Sequence, residues 1–229
     1  MIQAVLFDMD GTLLDSERLS VVAWQKAAAR LGYELSYDFT VSFHGTTIEM
    51  VRQIVTEGMG ADFPFEEVLA DAHRISAEYF SAHPAPVKPG ARKLLTWLRK
   101  RGIPCAVATS TASPRAQQLL ENAGLLPFLD AVVTGDMVRR GKPAPDSFEE
   151  ALRRLSAHTG RHFLPENVLV AEDSILGLKA ARAAGCKPVL IPDLQPMRKE
   201  WEPIVYTVCD SLADLIPLIE SFAGTEPRP

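Results

Sequence analysis

The chain has 229 residues, 47% of them hydrophobic, which suffices to bury a full core in one large domain carrying an insertion. Its net charge of −5 gives no electrostatic reason to expect nucleic acid or an anionic membrane as partner, so small-molecule chemistry is the expectation. No apolar run approaches bilayer-spanning length and no leader-like pattern opens the chain, which points to the cytoplasm. Cys105, Cys186 and Cys209 lack Cys-x-x-Cys spacing, cannot all pair, and read as buried thiols.

Ile2 to Phe7 is apolar apart from Gln3 and has no helical spacing, so it reads as the central strand of a parallel sheet covered on both faces. After Asp15-Ser16 the pattern turns helical. Leu19, Ala23, Trp24, Ala27, Ala28 and Leu31 form one stripe, and Gly32 stops it. A second helix is predicted from Thr46 or Thr47, where Thr46 and Glu49 have capping-box spacing, through Val51 and Val55 to Gly58. A third opens near Pro64 and runs until His83-Pro84-Ala85-Pro86 breaks it. Trp24 belongs to the packing stripe, and Arg18 and Arg52 read as solvated helix residues.

From Pro86 onward strand and helix alternate. Ile103 to Ala108, Leu129 to Val133, Val168 to Ala171, Pro188 to Ile191 and Ile204 to Val208 are strand-like. Helices open at Pro89-Gly90, at Ser113-Pro114, near Asp146, after Ser174 and at Ser211. The expected class is therefore α/β, a parallel sheet with helices, built from residues 1–14 and 86–229, with residues 15–85 inserted as an all-helical block. Hinges are expected near Leu14-Asp15 and Ala85-Val87, and the tail from Gly224 to Pro229 reads as loose.

Polar residues follow several strands directly. Asp8-Met9-Asp10-Gly11-Thr12 follows the first, Thr109-Ser110-Thr111 another, and Glu172-Asp173-Ser174 a third, while Gly141-Lys142-Pro143-Ala144-Pro145-Asp146 follows a strand and loop. In a parallel sheet these carboxyl ends share one edge, where open α/β sheets bind ligands, and Gly11 allows close backbone approach or a tight turn. Singly, each is an ordinary turn or helix-capping residue. Together they would gather Asp8, Asp10, Glu172 and Asp173 around one ammonium, Lys142.

Like charges a few ångströms apart cost on the order of 4 kcal/mol each at an effective dielectric near 20, so such a cluster requires a divalent cation. Oxygen-rich ligation without His or Cys at zinc spacing indicates Mg²⁺, held by Asp8, Asp10, Glu172 and Asp173. Asp8 can then attack a phosphoryl group while Asp10, on the opposite side of an extended backbone, moves protons. Thr109 would donate a hydrogen bond to the phosphoryl group and Lys142 would offset charge.

With these motifs in that order, the chain resembles haloacid dehalogenase superfamily phosphatases with a helical cap after the first motif, over nearly its whole length. The resemblance implies a Rossmann-like core, Mg²⁺, and an aspartyl-phosphate on Asp8, with phosphate contacts from backbone near Met9 and Gly11 and from Ser110. His44 falls where the cap of related enzymes touches substrate. Dehalogenases and phosphonate hydrolases of the family lack an acid at the position of Asp10, and Lys26, the one lysine within residues 15–85, lies inside a helix where a Schiff base has no support. The β-phosphoglucomutases resemble the segment from Asp15 to Trp24, but place a histidine where this chain has Ser20 and a basic residue where it has His44. A phospho-aspartate signalling switch, which also uses acidic residues, Mg²⁺ and a Lys on a parallel sheet, lacks the helical insertion, and a proton-transfer group such as Asp10 would shorten the lifetime of its acyl phosphate. The expected function is Mg²⁺-dependent hydrolysis of a small phosphomonoester, a sugar phosphate first, by a monomer with no nucleic-acid or membrane partner.

Overall fold

A computed structural model describes residues 1–223, so the expected loose tail lies outside the described residues. Six strands form one parallel sheet: β1 (Ala4–Phe7), β2 (Cys105–Ala108), β3 (Ala131–Val133), β4 (Val168–Glu172), β5 (Lys187–Leu190) and β6 (Thr207–Val208), in the spatial order β3-β2-β1-β4-β5-β6. The strand expected to be central is central. Alternation along β1 explains how it serves two layers: Val5 and Phe7 enter the apolar cluster on one face, and Ala4 and Leu6 the cluster on the other.

The first face is covered by α5 (Ala91–Arg101), α6 (Ser113–Asn122) and α9 (Leu215–Ala223), which bring Leu94, Leu98, Leu119 and Leu215. The second is covered by α7 (Asp146–Thr159) and α8 (Ile175–Ala183), with Phe148, Leu155 and Ala180. All three cysteines are free and buried. No helix among the described residues is long and apolar enough to cross a membrane.

Between β1 and α5 the chain forms α1 (Glu17–Arg30), α2 (Tyr37–Ser42), α3 (Ile48–Met59) and α4 (Phe65–Ala82), which share their own apolar cluster around Trp24. The Trp24 ring meets Phe43 edge-on at 5.2 Å between centroids. The two chain crossings into this block run side by side: Leu14 bridges Val87, Asp15 N donates to Pro86 O at 2.8 Å, and Lys88 N donates to Leu13 O at 2.9 Å.

Several local expectations are corrected. The Thr46–Glu49 capping box does not form. Thr47 is extended (φ −76°, ψ 157°) and caps α3 by accepting from Met50 N, while the Thr46 hydroxyl donates to Phe43 O at 2.8 Å. The sequence reading has no helix at α2, because six residues are too short to show a helical period; its signal is Ser36, whose hydroxyl accepts from Phe39 N at 3.2 Å. Leu31 falls outside its stripe because α1 ends at Arg30, which leaves it 41% exposed. The sixth strand is cut to Thr207–Val208, since Ile204 and Val205 pack instead on Leu178, Leu190 and Trp201.

Phe148 is the side chain through which the core supports the sheet edge: it is fully buried, and Lys142 Nζ lies 5.0 Å from its ring centroid. Phe148→Ala should cost about 3–5 kcal/mol, a fall of roughly 6–20 °C in Tm by thermal melting. Tyr37→Ala, at a half-exposed position, should cost less than about 0.5 kcal/mol. Equal losses would contradict this division of the core.

Candidate active site

Strands β1, β2 and β4 are neighbours and end together, so Asp8, Thr109 and Asp173 each stand one residue beyond a strand on one sheet edge. Asp8 is buried, and its Oδ1 accepts from Lys142 Nζ, which comes from the loop before α7. The same ammonium donates to Glu172 Oε1 at 2.6 Å. The other oxygen, Glu172 Oε2, accepts from Ser174 N and Ser174 Oγ, both at 2.9 Å. Ser174 in turn caps α8 by accepting from Gly177 N at 3.1 Å. A Cβ at Gly177 would run into the Glu172 carboxylate, so glycine is what lets α8 sit this close.

Burial raises the Asp8 carboxyl to about 8 even though Lys142 pulls it down, with Glu172 and Asp10 adding to the rise. Lys142 shifts upward: burial opposes its charge, but Asp8 and Glu172 outweigh that penalty. For this coupled pair we take the ammonium as charged and as the group that keeps Asp8 ionised.

The Asp10 carboxylate is held by hydroxyls. Ser16 Oγ donates to Oδ1 at 2.6 Å, and Thr111 Oγ1 and Thr109 Oγ1 donate to Oδ2 at 2.7 and 3.4 Å. The sequence reading sets Asp10 opposite Asp8 on an extended backbone. Instead the chain leaves β1 at Phe7 and turns, with Gly11 N donating to Leu14 O at 2.8 Å, so both carboxylates line one cavity. Thr12 Oγ1 donates to Asp173 Oδ1 at 3.2 Å. Gly11 has φ +83°, and a Cβ there would collide with the Asp173 carboxylate, so this glycine answers both a turn and a close approach.

Glu172 departs from the expected metal set. Both of its oxygens are engaged by Lys142 and Ser174, and it does not line the cavity. Among the described residues no three His, Cys, Asp or Glu side chains stand close enough to hold an ion by themselves. Asp8 and Asp173 remain as the open carboxylates, and burial together with neighbouring carboxylates raises Asp173 well above the ordinary range. Hard, mutually repelling oxygen donors of this kind fit Mg²⁺, which binds through one or two carboxylates and keeps waters.

The cavity, roughly 900 Å³, lies between the sheet edge and the helical block. Ser110 lines it, whereas Met9 sends its side chain into the main core and can contribute only backbone. His44 lines it too, and its partners define its proton. Nδ1 lies 2.9 Å from Thr40 O and must donate there, so in a neutral imidazole Nε2 is an acceptor, 3.1 Å from Glu17 Oε2. Burial lowers His44, while burial and then Asp10, Asp8 and Asp193 raise Glu17 to about 8. Both directions favour a protonated Glu17 donating to a neutral His44 over an ion pair. Glu17, Ser16 and Thr111 escape the sequence reading; Ser16 and Glu17 do follow the first motif directly, but nothing in their spacing shows where they point.

Arg18 is not simply solvated: it bridges Asp15 at 2.5 Å and Asp193 at 2.7 Å, and Lys88 Nζ meets Asp193 at 2.6 Å. Arg52 likewise pairs with Glu66 and lies over the Phe65 ring at 4.4 Å. Gln195 Nε2 donates to Val41 O at 3.2 Å and to His44 O at 2.9 Å, which ties the loop after β5 to the helical block.

A parallel α/β sheet with carboxylates and a lysine at its carboxyl edge suits ligand chemistry at that edge, and comparison with known proteins gives the class. The haloacid dehalogenase-like hydrolase family model matches residues 2–185, and the chain belongs to that family. It is 31% identical over 237 residues to Protein CbbY of Cereibacter sphaeroides, covering 99% of this chain and 97% of that one. It is 32% identical over 187 residues to the phosphorylated carbohydrates phosphatase of Thermotoga maritima, covering 82% and 83%. A crystal structure of a CbbY mutant from Rhodobacter sphaeroides in complex with xylulose-1,5-bisphosphate superposes with a TM-score of 0.73 at 26% identity, covering 94% of this chain and 96% of that one.

Glu17 supplies a test of the proton assignment. Its folded pKa of about 8 lies above the ordinary 4.5, so the stability it contributes is complete below 4.5 and is lost as pH rises through 8. Glu17→Gln keeps the donor without the titration. In chelator-treated protein the Tm of wild type should fall relative to Glu17→Gln between those two pH values. Parallel Tm curves would contradict the assignment.

Proposed function

We propose that this hydrolase is a Mg²⁺-dependent phosphatase of small phosphorylated carbohydrates, acting through an aspartyl-phosphate on Asp8. The observation that carries the reading is Asp8 itself: a buried carboxylate gripped by Lys142 through Oδ1, with Oδ2 left open at the cavity. The substrate class rests on the relatives, one of which takes its name from phosphorylated carbohydrates and another of which was crystallised with a sugar bisphosphate.

In this reading Asp8 attacks phosphorus in line, the new Asp8–O–P bond forms, and the P–O bond to the sugar breaks. Asp10 donates its proton to the departing oxygen, which leaves as an alcohol. Asp10 then takes a proton from water, whose oxygen attacks phosphorus and releases phosphate and the Asp8 carboxylate. Thr109 and Ser110 are the hydroxyls for the phosphoryl oxygens, with backbone at Met9 and Gly11, and Lys142 offsets charge on nucleophile and phosphate together. Magnesium bound by Asp8 and Asp173 would supply further positive charge against the phosphoryl oxygens.

Residues 15–85 serve as a cap that opens about the paired crossings at Leu14 and Val87 and excludes bulk water when closed. Ser20 and His44, the two departures from the mutase pattern, both line the cavity, so the mutase side chains are missing where they would meet substrate.

Asp8→Asn should lower kcat by about three orders of magnitude or more with the fold retained by circular dichroism; substantial residual turnover would refute the nucleophile. EDTA should abolish activity and added Mg²⁺ restore it. Asp10→Asn should lose about 10²–10⁴ on an alkyl phosphate and far less on p-nitrophenyl phosphate, whose leaving group needs no proton. Equal losses on the two substrates would rule out its acid role.

A further inference from the structure

The polar groups lining the cavity divide into those already paired and those that are not. Asp8, Lys142, Asp10 and Asp173 each bond to another side chain, and Glu17 and His44 bond to each other. Arg115, in the first turn of α6, is different. It is the one guanidinium lining the cavity, and among the described residues it makes no ion pair or hydrogen bond. Its Cζ stands 6.0 Å from the ring centroid of Phe80 on α4, a long cation–π contact that leaves its N–H groups open.

Phe80 shows where on α4 the guanidinium lies. His73, Ser76 and Phe80 follow one another at three- and four-residue spacing and so share a helix face. His73 and Ser76 both line the cavity, and neither side chain has a hydrogen-bond partner among the described residues. Burial, and after it the field of Arg115, holds the His73 imidazole below the ordinary histidine range. Glu17 also feels Arg115 but is paired with His44 and not with it. The cavity therefore holds, from the sheet side, a guanidinium with no direct ion-pair partner, facing two unused polar groups from the helical block.

We propose that Arg115, His73 and Ser76 form a second anion site, so that the substrate carries a further acidic group, phosphate or carboxylate, besides the phosphoryl group delivered to Asp8. This rests on the phosphatase reading for the role of the first group only. The guanidinium fork accepts either anion bidentately, and His73 and Ser76 supply donors from the opposite wall. Lys142 cannot serve in its place, since Asp8 and Glu172 already occupy it. The distal anion would join sheet and helical block across the cavity, and doubly acidic substrates would favour the closed form.

The test compares substrates in matched pairs: ribulose 1,5-bisphosphate against ribulose 5-phosphate, and 3-phosphoglycerate against glycerol 3-phosphate. Wild type should prefer the doubly acidic member of one pair by about tenfold or more in kcat/KM, and the pair that shows it identifies phosphate or carboxylate. Arg115→Met should shrink that preference to within about threefold, mainly through KM, while Arg115→Lys keeps part of it. Circular dichroism checks the fold, and His73→Gln, which should shrink the same preference, is the second variant. No preference in either pair, or a loss in Arg115→Met shared equally by both members, would overturn the site. If none of the four compounds is turned over, the phosphatase reading fails, and calorimetric titration decides the site separately. Tighter binding of a doubly acidic compound that depends on Arg115 would sustain it, and binding indifferent to Arg115 would end it.

Discussion

One buried ammonium holds the site together. Lys142 lies between Asp8, just beyond β1, and Glu172, the last residue of β4, and without it two buried carboxylates on adjacent strands would face each other. Breaking a buried ion pair by removing one partner typically costs about 3–5 kcal/mol, because the remaining charge is left uncompensated. In the proposed reaction the loss would also be chemical, since burial drives the Asp8 carboxyl toward its neutral form, in which it could not attack. Stability and reactivity thus depend on the same contact, and the features around it keep it in place. Ser174 anchors the far side of Glu172, Gly177 lets α8 approach, and Phe148 supports the ammonium from below.

A second set of polar contacts positions the helical block over this edge. Asp193, buried just after β5, receives Arg18 from α1 and Lys88 from the return crossing, and Gln195 holds backbone carbonyls of Val41 and His44. The bonds of Arg18 and Gln195 cross between the sheet domain and the helical block, whereas the apolar clusters do so far less: Trp24 and its neighbours form a cluster of their own. The half-exposed Arg18 can break and re-form its contact at lower cost, because Lys88 stays on the buried Asp193 carboxylate. The helical block thereby places Glu17, His44, His73 and Ser76 over the carboxylates without fusing to the sheet.

The sheet was legible because its strands are short apolar runs, and the polar motifs that follow several of them are enough, in that order, to set Asp8, Thr109, Lys142 and Asp173 at one edge. What lay beyond reach were directions and partners. Glu172 sits beside Asp173 in the chain but points inward to Lys142 and Ser174, a choice made by the pleat of β4 that adjacency cannot show. Asp10 shares a cavity with Asp8 because the chain turns after Phe7. Thr111 and Arg115 look like ordinary loop and helix residues until the fold brings them to the cavity, and α2 is too short for periodicity to reveal. The Thr46 and Thr47 ambiguity was settled by backbone conformation, which neither residue type dictates.

In the proposed reaction Asp8, kept ionised by Lys142, becomes the covalent carrier of the phosphoryl group. Rapid-quench borohydride reduction during turnover, followed by peptide mass spectrometry, tests it most directly, because an acyl phosphate is reduced where a free carboxylate is not. Homoserine should appear at position 8 in wild type and be absent in Lys142→Met. Turnover without any label at position 8, or label at another carboxylate, would contradict it.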